Sequence, residues 1–301
     1  MAARRLERRS ATTRPVSVKR KAGIGVPFKI ELRRGAFRRR TFVESLQPPA
    51  LHTEELMRRL RRFEPFRKIP AEELSLIALA ATVRSYRAGE YVWRRGAMVQ
   101  HAAFLESGFV KLARPSPDGV PATYGLFGPG DSIGVLAIWA GMRYPTDAIA
   151  LNHGLEVICV DSDTLRQVSE RSLEMAAAVR DELTRFSIAF MTKIHIASAG
   201  TVPQRLAALM LHLVDRYGVN RKDFRARVPF PIPREELGNI VGAREETVVR
   251  ALVSWKRSGW LETRADGFYI KRLDKLREMV AWPPAAASFG SDLAGLTAAA
   301  G

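Results

Sequence analysis

Residues 232–256 read IPREELGNIVGAREETVVRALVSWK. Pro233 stands where a helix opens, with Glu235 and Glu236 following in the first turn. This matches the preference for proline at the first helical position and for acids near the positive end of the helix dipole. Leu237, Ile240 and Val241 make the apolar side, and Gly242 supplies a turn. A second periodic run starts at Arg244, with Val248, Ala251, Leu252 and Trp255 on one side. At about 100° per residue, Glu246, Val249 and Arg250 fall on the opposite side. Two helices joined by a glycine turn describe a helix-turn-helix, whose second helix enters the DNA major groove. Downstream, residues 258–272 read SGWLETRADGFYIKR, two short strands around an Asp266-Gly267 turn and hence a wing. The plainer alternative is a helical hairpin with a solvated face. In it Glu246 and Arg250 are a surface i, i+4 pair worth a few tenths of a kcal/mol.

The chain has 301 residues, enough for two cores, and a hydrophobic content of 47% that marks it as globular. No apolar run reaches the ~18 residues of a membrane helix. The net charge of +17 favours an anionic partner such as nucleic acid. It is unevenly spread: residues 1–50 hold 14 Lys+Arg against 3 Asp+Glu, so 11 of the 17 charges lie there. The helix-turn-helix region itself is only mildly basic. The single cysteine, Cys159, suits a reducing, cytoplasmic setting and excludes an intramolecular disulfide or a multi-cysteine metal site. The five histidines are scattered without metal-ligand spacing, and no nucleophile motif, P-loop or dinucleotide fingerprint is present. No cofactor and no enzymatic activity are therefore expected.

Residues 1–50 are rich in arginine without sustained periodicity, and read as a disordered basic tail. The segment resembles a transit peptide superficially; a mis-assigned start, a solvated tail or a non-specific DNA-contacting arm are the alternatives. Short helices are expected from His52 to Phe63 and from Pro70 to Ala81. From Thr82 to Val160, β-rich runs alternate with Gly, Pro and Asp turns: VRSY, EYVW, AAFLES, GFVKLAR, ATYGLF, AIAL and LEVICV. That spacing marks an all-β sandwich or barrel. From about Leu165 to Ser198 a long helix takes over. Ala176, Val179, Leu183, Phe186 and Phe190 form a heptad seam that can pair with a second copy or pack on the chain's own β domain, and Met191 and Ile194 widen it. A helix from Pro203 to Tyr217, closed by Gly218, and a basic connection lead to the helix-turn-helix. Residues 281–301 are Ala/Gly-rich and read as a second disordered tail.

A β barrel, a long helix and a winged helix-turn-helix, in that order, resemble the Crp/Fnr family of bacterial transcription regulators. The resemblance spans about Phe66 to Met279 and is carried by three stretches: ESGFVKL around Gly108, FGPGDSIG from Phe127 to Gly134, and REELGNIVGAREETVVR from Arg234 to Arg250. It implies an α+β chain: a jelly-roll-like double-stranded β-helix sensor at 51–164, a dimerisation helix at 165–200 and a DNA-binding domain at 201–280. It further implies that Glu246 and Arg250 read base edges, in keeping with arginine donating to guanine and glutamate accepting from cytosine. Thr247 resembles the family residue that meets a phosphate, and Arg244, Glu245 and Val249 complete the expected DNA-facing set. Where the family carries an arginine just before the reading glutamate, this chain has Glu245, which implies a changed half-site.

The effector cassette departs further. Cyclic-nucleotide binders have Gly-Glu-Leu where this chain has Gly134-Val135-Leu136, and valine cannot accept the ribose hydrogen bond. Their Arg-Ser-Ala aligns with Pro145-Thr146-Asp147, leaving Arg143 as the nearest alternative cation. Their Thr-Ser pair aligns with Phe190-Met191. A cyclic phosphate left unpaired in such a pocket would be costly, so cyclic AMP is not the expected ligand. Trp139, Met142 and Tyr144 make the cassette apolar, suiting either core packing or an apolar or aromatic effector. His101, His153 and His195 are haem-ligand candidates in principle only, and Cys159 reads as core rather than redox sensor.

The expected protein is thus a homodimeric, sequence-specific regulator on double-stranded DNA, with RNA polymerase as a partner and no membrane. It places two recognition helices about 34–36 Å apart on a near-palindromic site. A small-molecule effector is open. The competing readings are a ligand-independent regulator, a cyclic-nucleotide module of a kinase or channel, and an enzyme.

Overall fold

The computed structural model describes residues 49–115, 122–152 and 154–280. Residues 1–48 of the expected N-terminal tail, the expected C-terminal tail and His153 lie outside the described residues; positions 49 and 50 belong to a helix.

Two short helices, α1 (Pro49–Leu60) and α2 (Ala71–Leu79), precede eight strands. These are β1 (Ala81–Tyr86), β2 (Tyr91–Trp93), β3 (His101–Ser107), β4 (Val110–Arg114), β5 (Ala122–Phe127), β6 (Ser132–Ile133), β7 (Asp147–Ala150) and β8 (Leu155–Asp161), with a five-residue helix α3 (Val135–Trp139) between β6 and β7. Every expected β run forms a strand. They make two four-stranded antiparallel sheets, in the orders β1-β8-β3-β6 and β2-β7-β4-β5. The sheets face one another without closing, so the jelly-roll likeness holds but a closed barrel does not.

Strands β3 and β8 are buried on both faces, which is why their sequences are almost continuously apolar rather than alternating. Ala103, Leu105, Val157 and Cys159 face the second sheet. Ala102, Phe104, Ile158 and Val160 face outward under α1 and α2, against Leu56, Leu60, Phe66, Leu74 and Ile77.

The expected single helix from Leu165 to Ser198 is two helices, α4 (Ser162–Ser169) and α5 (Leu173–Ser198). The break has a local cause. The Ser172 hydroxyl accepts from the Met175 amide at 3.1 Å and starts a new helix. Asp161 caps α4 in the same way, accepting from Thr164 N at 2.9 Å.

After α5 come α6 (Val202–Tyr217), β9 (Val219–Lys222), β10 (Arg225–Val228), α7 (Arg234–Val241), α8 (Glu245–Arg257), β11 (Leu261–Arg264), β12 (Gly267–Ile270) and α9 (Leu273–Val280). The basic connection before the helix-turn-helix is therefore a β hairpin, and the wing belongs to a four-stranded sheet ordered β11-β12-β10-β9. Gly218 adopts φ −68° and does not make the left-handed helix end its residue type suggested. The wing turn sits one residue earlier than expected: Arg264 pairs with Gly267, leaving Ala265 and Asp266 as the loop.

The roll and the C-terminal head share a core. Phe109, between β3 and β4, stacks on Phe230 at 3.5 Å between centroids and meets Tyr217 edge-on at 5.2 Å. Around it, Lys111 pairs with Glu236, Arg216 pairs with Asp131, and Tyr217 Oη donates to Asp131 Oδ2 at 2.7 Å. Asp131 is the acid of the FGPGDSIG stretch, so that turn is a docking point for α6 as well as part of the cassette.

Candidate nucleic-acid interface and ligand cavity

Helix α8 is two-faced. Val248, Ala251, Leu252 and Trp255 are buried in the head's core, while Arg244, Glu245, Glu246 and Arg250 are exposed. Thr247 and Val249 are half-buried at the boundary, and the Arg250 guanidinium lies 3.4 Å from the Thr247 hydroxyl. Glu245 and Glu246 occupy the first turn, where the helix dipole stabilises acids. The six residues expected to face DNA thus share one end and one side of one helix. Glu246 and Arg250 form no ion pair with each other, so the plain reading of them as a surface pair has no support from the geometry.

The turn that aims α8 is tightly built. Gly242 has φ +63°, a region that glycine enters without strain. Within α7, a Cβ on Gly238 would lie 2.6 Å from the Ala243 carbonyl oxygen, and the Ala243 amide donates to Gly238 O at 2.9 Å. The carbonyls left over at the end of α7 are met by cations from other helices. Arg205 of α6 donates to Val241 O at 2.8 Å and Gly242 O at 3.2 Å, and Lys193 of α5 donates to Ile240 O. Sequence reading missed both caps, because each depends on a residue 36 or more positions away.

The wing is held by charge and aromatic contacts. Arg227 pairs with Asp266 at 2.6 Å, the Tyr269 hydroxyl donates to the same carboxylate at 2.7 Å, and Arg264 lies 4.2 Å over the Tyr269 ring. The Tyr269 hydrogen bond first, with Arg227 nearby, holds the Asp266 carboxyl below its usual range.

A cavity of about 250 Å³ lies between the roll, α5, α6 and the end of α7. Trp93 and Tyr144 form one wall, stacked at 4.2 Å, and Phe127 and Phe186 another, parallel at 6.3 Å. Tyr144 is fixed by its hydroxyl, which donates to His101 O at 2.6 Å. Of the expected effector residues, Gly134, Leu136, Pro145, Thr146 and Phe190 line this cavity. Three do not. The Val135 side chain is buried on the far side, among Phe104, Leu165 and Met175. Arg143 is exposed and donates to Gly96 O at 2.9 Å, and Met191 is exposed on the outer side of α5. Of the three apolar cassette residues, Tyr144 alone lines the cavity; Trp139 lies near Leu165 of α4 and Met175 of α5, and Met142 is exposed.

The cavity's polar groups were not anticipated. Arg114, Lys193 and His212 line it, and among the described residues no aspartate or glutamate does. Burial in apolar surroundings pushes the Lys193 ammonium down to about 8 and the His212 imidazole down to about 4. Cys159 is buried with its thiol raised to about 11 by desolvation, the state of a core residue rather than a reactive one. Among the described residues no cluster of three or more His, Cys, Asp or Glu is placed to hold a metal, and no helix is long and apolar enough to cross a membrane.

Residues 83–172 match the family model described as a cyclic nucleotide-binding domain, and residues 204–279 match the Crp-like helix-turn-helix domain. The CRP-like cAMP-activated global transcriptional regulator of Mycobacterium tuberculosis is 27% identical over 195 residues, covering 62% of this chain and 83% of that protein. The fumarate and nitrate reduction regulatory protein of Escherichia coli is 24% identical over 195 residues, covering 64% of this chain and 75% of its own. Among solved structures, FixK2 from Bradyrhizobium japonicum shares the fold with a TM-score of 0.60 at 20% identity, over 68% of this chain and 99% of that one.

Proposed function

Since the chain belongs to the Crp/Fnr family of transcription regulators, we propose that it binds a near-palindromic DNA site as a homodimer, reads it through Glu246 and Arg250, and answers to an effector other than cyclic AMP. The observation that carries the reading is the division of α8, with one face locked in the core and Arg244, Glu246 and Arg250 exposed on the other. Arg250 has the fork to donate to O6 and N7 of a guanine, and Glu246 accepts from a cytosine amine. Thr247 and Arg244 are assigned to phosphates, contacts that position the helix without adding sequence preference. Glu245 adds a second acid at the groove end and disfavours close approach to phosphate there.

Dimerisation is assigned to the C-terminal half of α5. Phe190, Met191 and Ile194 are each about half exposed, an apolar outer face on an otherwise polar helix surface. Much of the expected seam is already used within the chain: Val179 is buried, Leu183 packs on the apolar cluster outside β3 and β8, and Phe186 packs on the roll, while Ala176 is exposed. RNA polymerase is the proposed protein partner of the DNA-bound dimer.

A ligand-independent regulator is the second reading, favoured by the turned-away Val135. The cavity joining the roll to α7 weighs against it, because a ligand there touches the element that aims α8. Selection of bound duplexes from a random pool tests the assignment. Wild type should return a two-fold motif, and Arg250→Ala should lose preference at one base pair per half-site, by about 1–3 kcal/mol. An unchanged motif in the variant would remove Arg250 from the reading set.

A further inference from the structure

We propose that the cavity takes a small organic carboxylate with an apolar or aromatic body, and that its carboxylate is received by Lys193, the same ammonium that caps α7. The proposal rests on the reading of this cavity as the effector site, and names the ligand class and the coupling.

The lining dictates the class. The walls are Trp93, Tyr144, Phe127, Phe186 and Phe190, surfaces that bind a flat or apolar body by dispersion and stacking. Among the described residues the charged lining groups are both cations: Arg114, exposed, and Lys193, half-buried. With no acid among the described lining residues, an amine ligand meets positive charge and an anion meets compensation. At about 250 Å³ the cavity lies at the small end of ligand sites, which run from roughly 300 to 1,000 Å³, so the body is small.

Lys193 is suited to the carboxylate. An ammonium carries three donors, and Lys193 spends one on the Ile240 carbonyl. No carboxylate of the described residues forms an ion pair with it. A desolvated charge without a counter-charge is costly, and a ligand carboxylate supplies charge-assisted bonds where the protein supplies a single neutral acceptor.

The same atom gives the coupling. Ile240 lies two residues before Gly242, the turn from which α8 departs. A carboxylate that draws Nζ off Ile240 O removes the link between α5 and the end of α7, while Arg205 keeps its hold on Val241 and Gly242 from α6. Ligand binding then changes what fixes the recognition head to α5. By linkage, DNA and ligand shift each other's affinity by the same factor.

The test is calorimetry on the full chain with phenylacetate, indole-3-acetate and octanoate, each beside its uncharged amide. At least one acid should bind saturably and about tenfold or more tighter than its amide, the margin of one charge-assisted bond. Lys193→Met should erase that preference while Lys193→Arg retains it, and Ala189→Trp, which fills the cavity, should abolish binding of both forms. If Lys193→Met does not fold, the acid-to-amide ratio in wild type decides alone. Equal binding of acid and amide overturns the carboxylate class and leaves the cavity as an effector site. Binding of none of the six, by a protein that still binds its selected DNA, overturns both the class and the effector reading and leaves the regulator reading standing.

Discussion

Lys111 of β4 and Glu236 of α7 form an ion pair with side chains only 14% and 12% exposed, so the roll is joined to the recognition head by enclosed charge as well as by packing. The second carboxylate oxygen of Glu236 is buried without a hydrogen-bond partner in the described chain. Removing one member of such a pair strands the other, at about 3–5 kcal/mol, whereas replacing both by apolar residues is often neutral. Lys111→Met should therefore destabilise the protein by about 3 kcal/mol. Lys111→Met combined with Glu236→Met should recover most of that loss. A double-mutant cycle by urea unfolding checks this, and simple additivity of the two losses would show that the pair does not couple roll and head.

Gly238 and Gly242 lie four residues apart and should respond very unequally to substitution. A methyl on Gly238 meets a backbone carbonyl, Ala243 O, at 2.6 Å, and backbone on neither side can yield without opening the turn. Gly238→Ala should cost about 1–3 kcal/mol of head stability, as overpacking does, and weaken DNA binding. At Gly242, with φ +63°, the nearest neighbour is the flexible end of Arg205 at 3.4 Å. Asparagine tolerates that backbone region, so Gly242→Asn should cost less than about 1 kcal/mol. Thermal unfolding and gel-shift titration of the two variants provide the comparison.

The helix-turn-helix was legible in the sequence because its signals are local: Pro233, the acids after it, Gly242 and the spacing of Val248, Ala251, Leu252 and Trp255. The strands of the roll were legible for the same reason, as turn residues punctuate each apolar run. What was not legible depends on distance. The seam of α5 was ambiguous because the same periodicity serves the chain's own roll at Val179 and Phe186 and its outer face near Phe190. Alignment placed Val135 and Arg143 in the pocket, but backbone direction turns both away. Lys193 and His212 were unmarked because a single lysine or histidine in an amphipathic helix carries no sign of what another domain will place against it.

The outer face of α5 gives a direct test of assembly. Met191 is 46% and Ile194 is 54% exposed, and neither lines the cavity. A charge introduced there leaves the monomer's own core untouched but is desolvated if a second copy packs on it. Met191→Glu with Ile194→Glu should convert a dimer to a folded monomer by sedimentation equilibrium, with unchanged circular dichroism. A dimer that survives both substitutions would place the interface elsewhere.

His212 sets an acid limit on stability. Burial, and then the nearby Arg216 charge, hold its imidazole at about 4 in the folded chain, against 6.5 when unperturbed. Between those values the unfolded chain takes up a proton that the folded chain refuses. The stability tied to neutral His212 is therefore complete above pH 6.5 and is lost as pH falls towards 4, by about 3 kcal/mol. His101, also lowered to about 4 by burial, contributes in the same direction. Urea unfolding across this interval should show stability rising with pH, and His212→Leu should shallow the slope by about half. An unchanged slope would mean that His212 is protonated in the fold.

Cyclic AMP offers the last test, since a relative at 27% identity is described as cAMP-activated. Position 135, where a carboxylate is needed for the ribose, carries a valine whose side chain lies in a different core. Pro145 and Thr146 line the cavity where the family's cation would meet the phosphate, and the neighbouring Asp147, whose carboxylate accepts from the Arg95 amide at 2.7 Å, is not part of the lining. Lys193 is half-buried and tied to Ile240, and Arg143 is held outside by Gly96. A cyclic phosphate seated at Pro145 and Thr146 thus meets only Arg114, an exposed cation whose pairing water screens, and its ribose finds no carboxylate at position 135. Calorimetric titration should show no micromolar binding of cyclic AMP, and the nucleotide should leave the DNA affinity of the full chain unchanged. Micromolar affinity, or a shift in DNA binding on adding it, would return the cavity to the cyclic-nucleotide class.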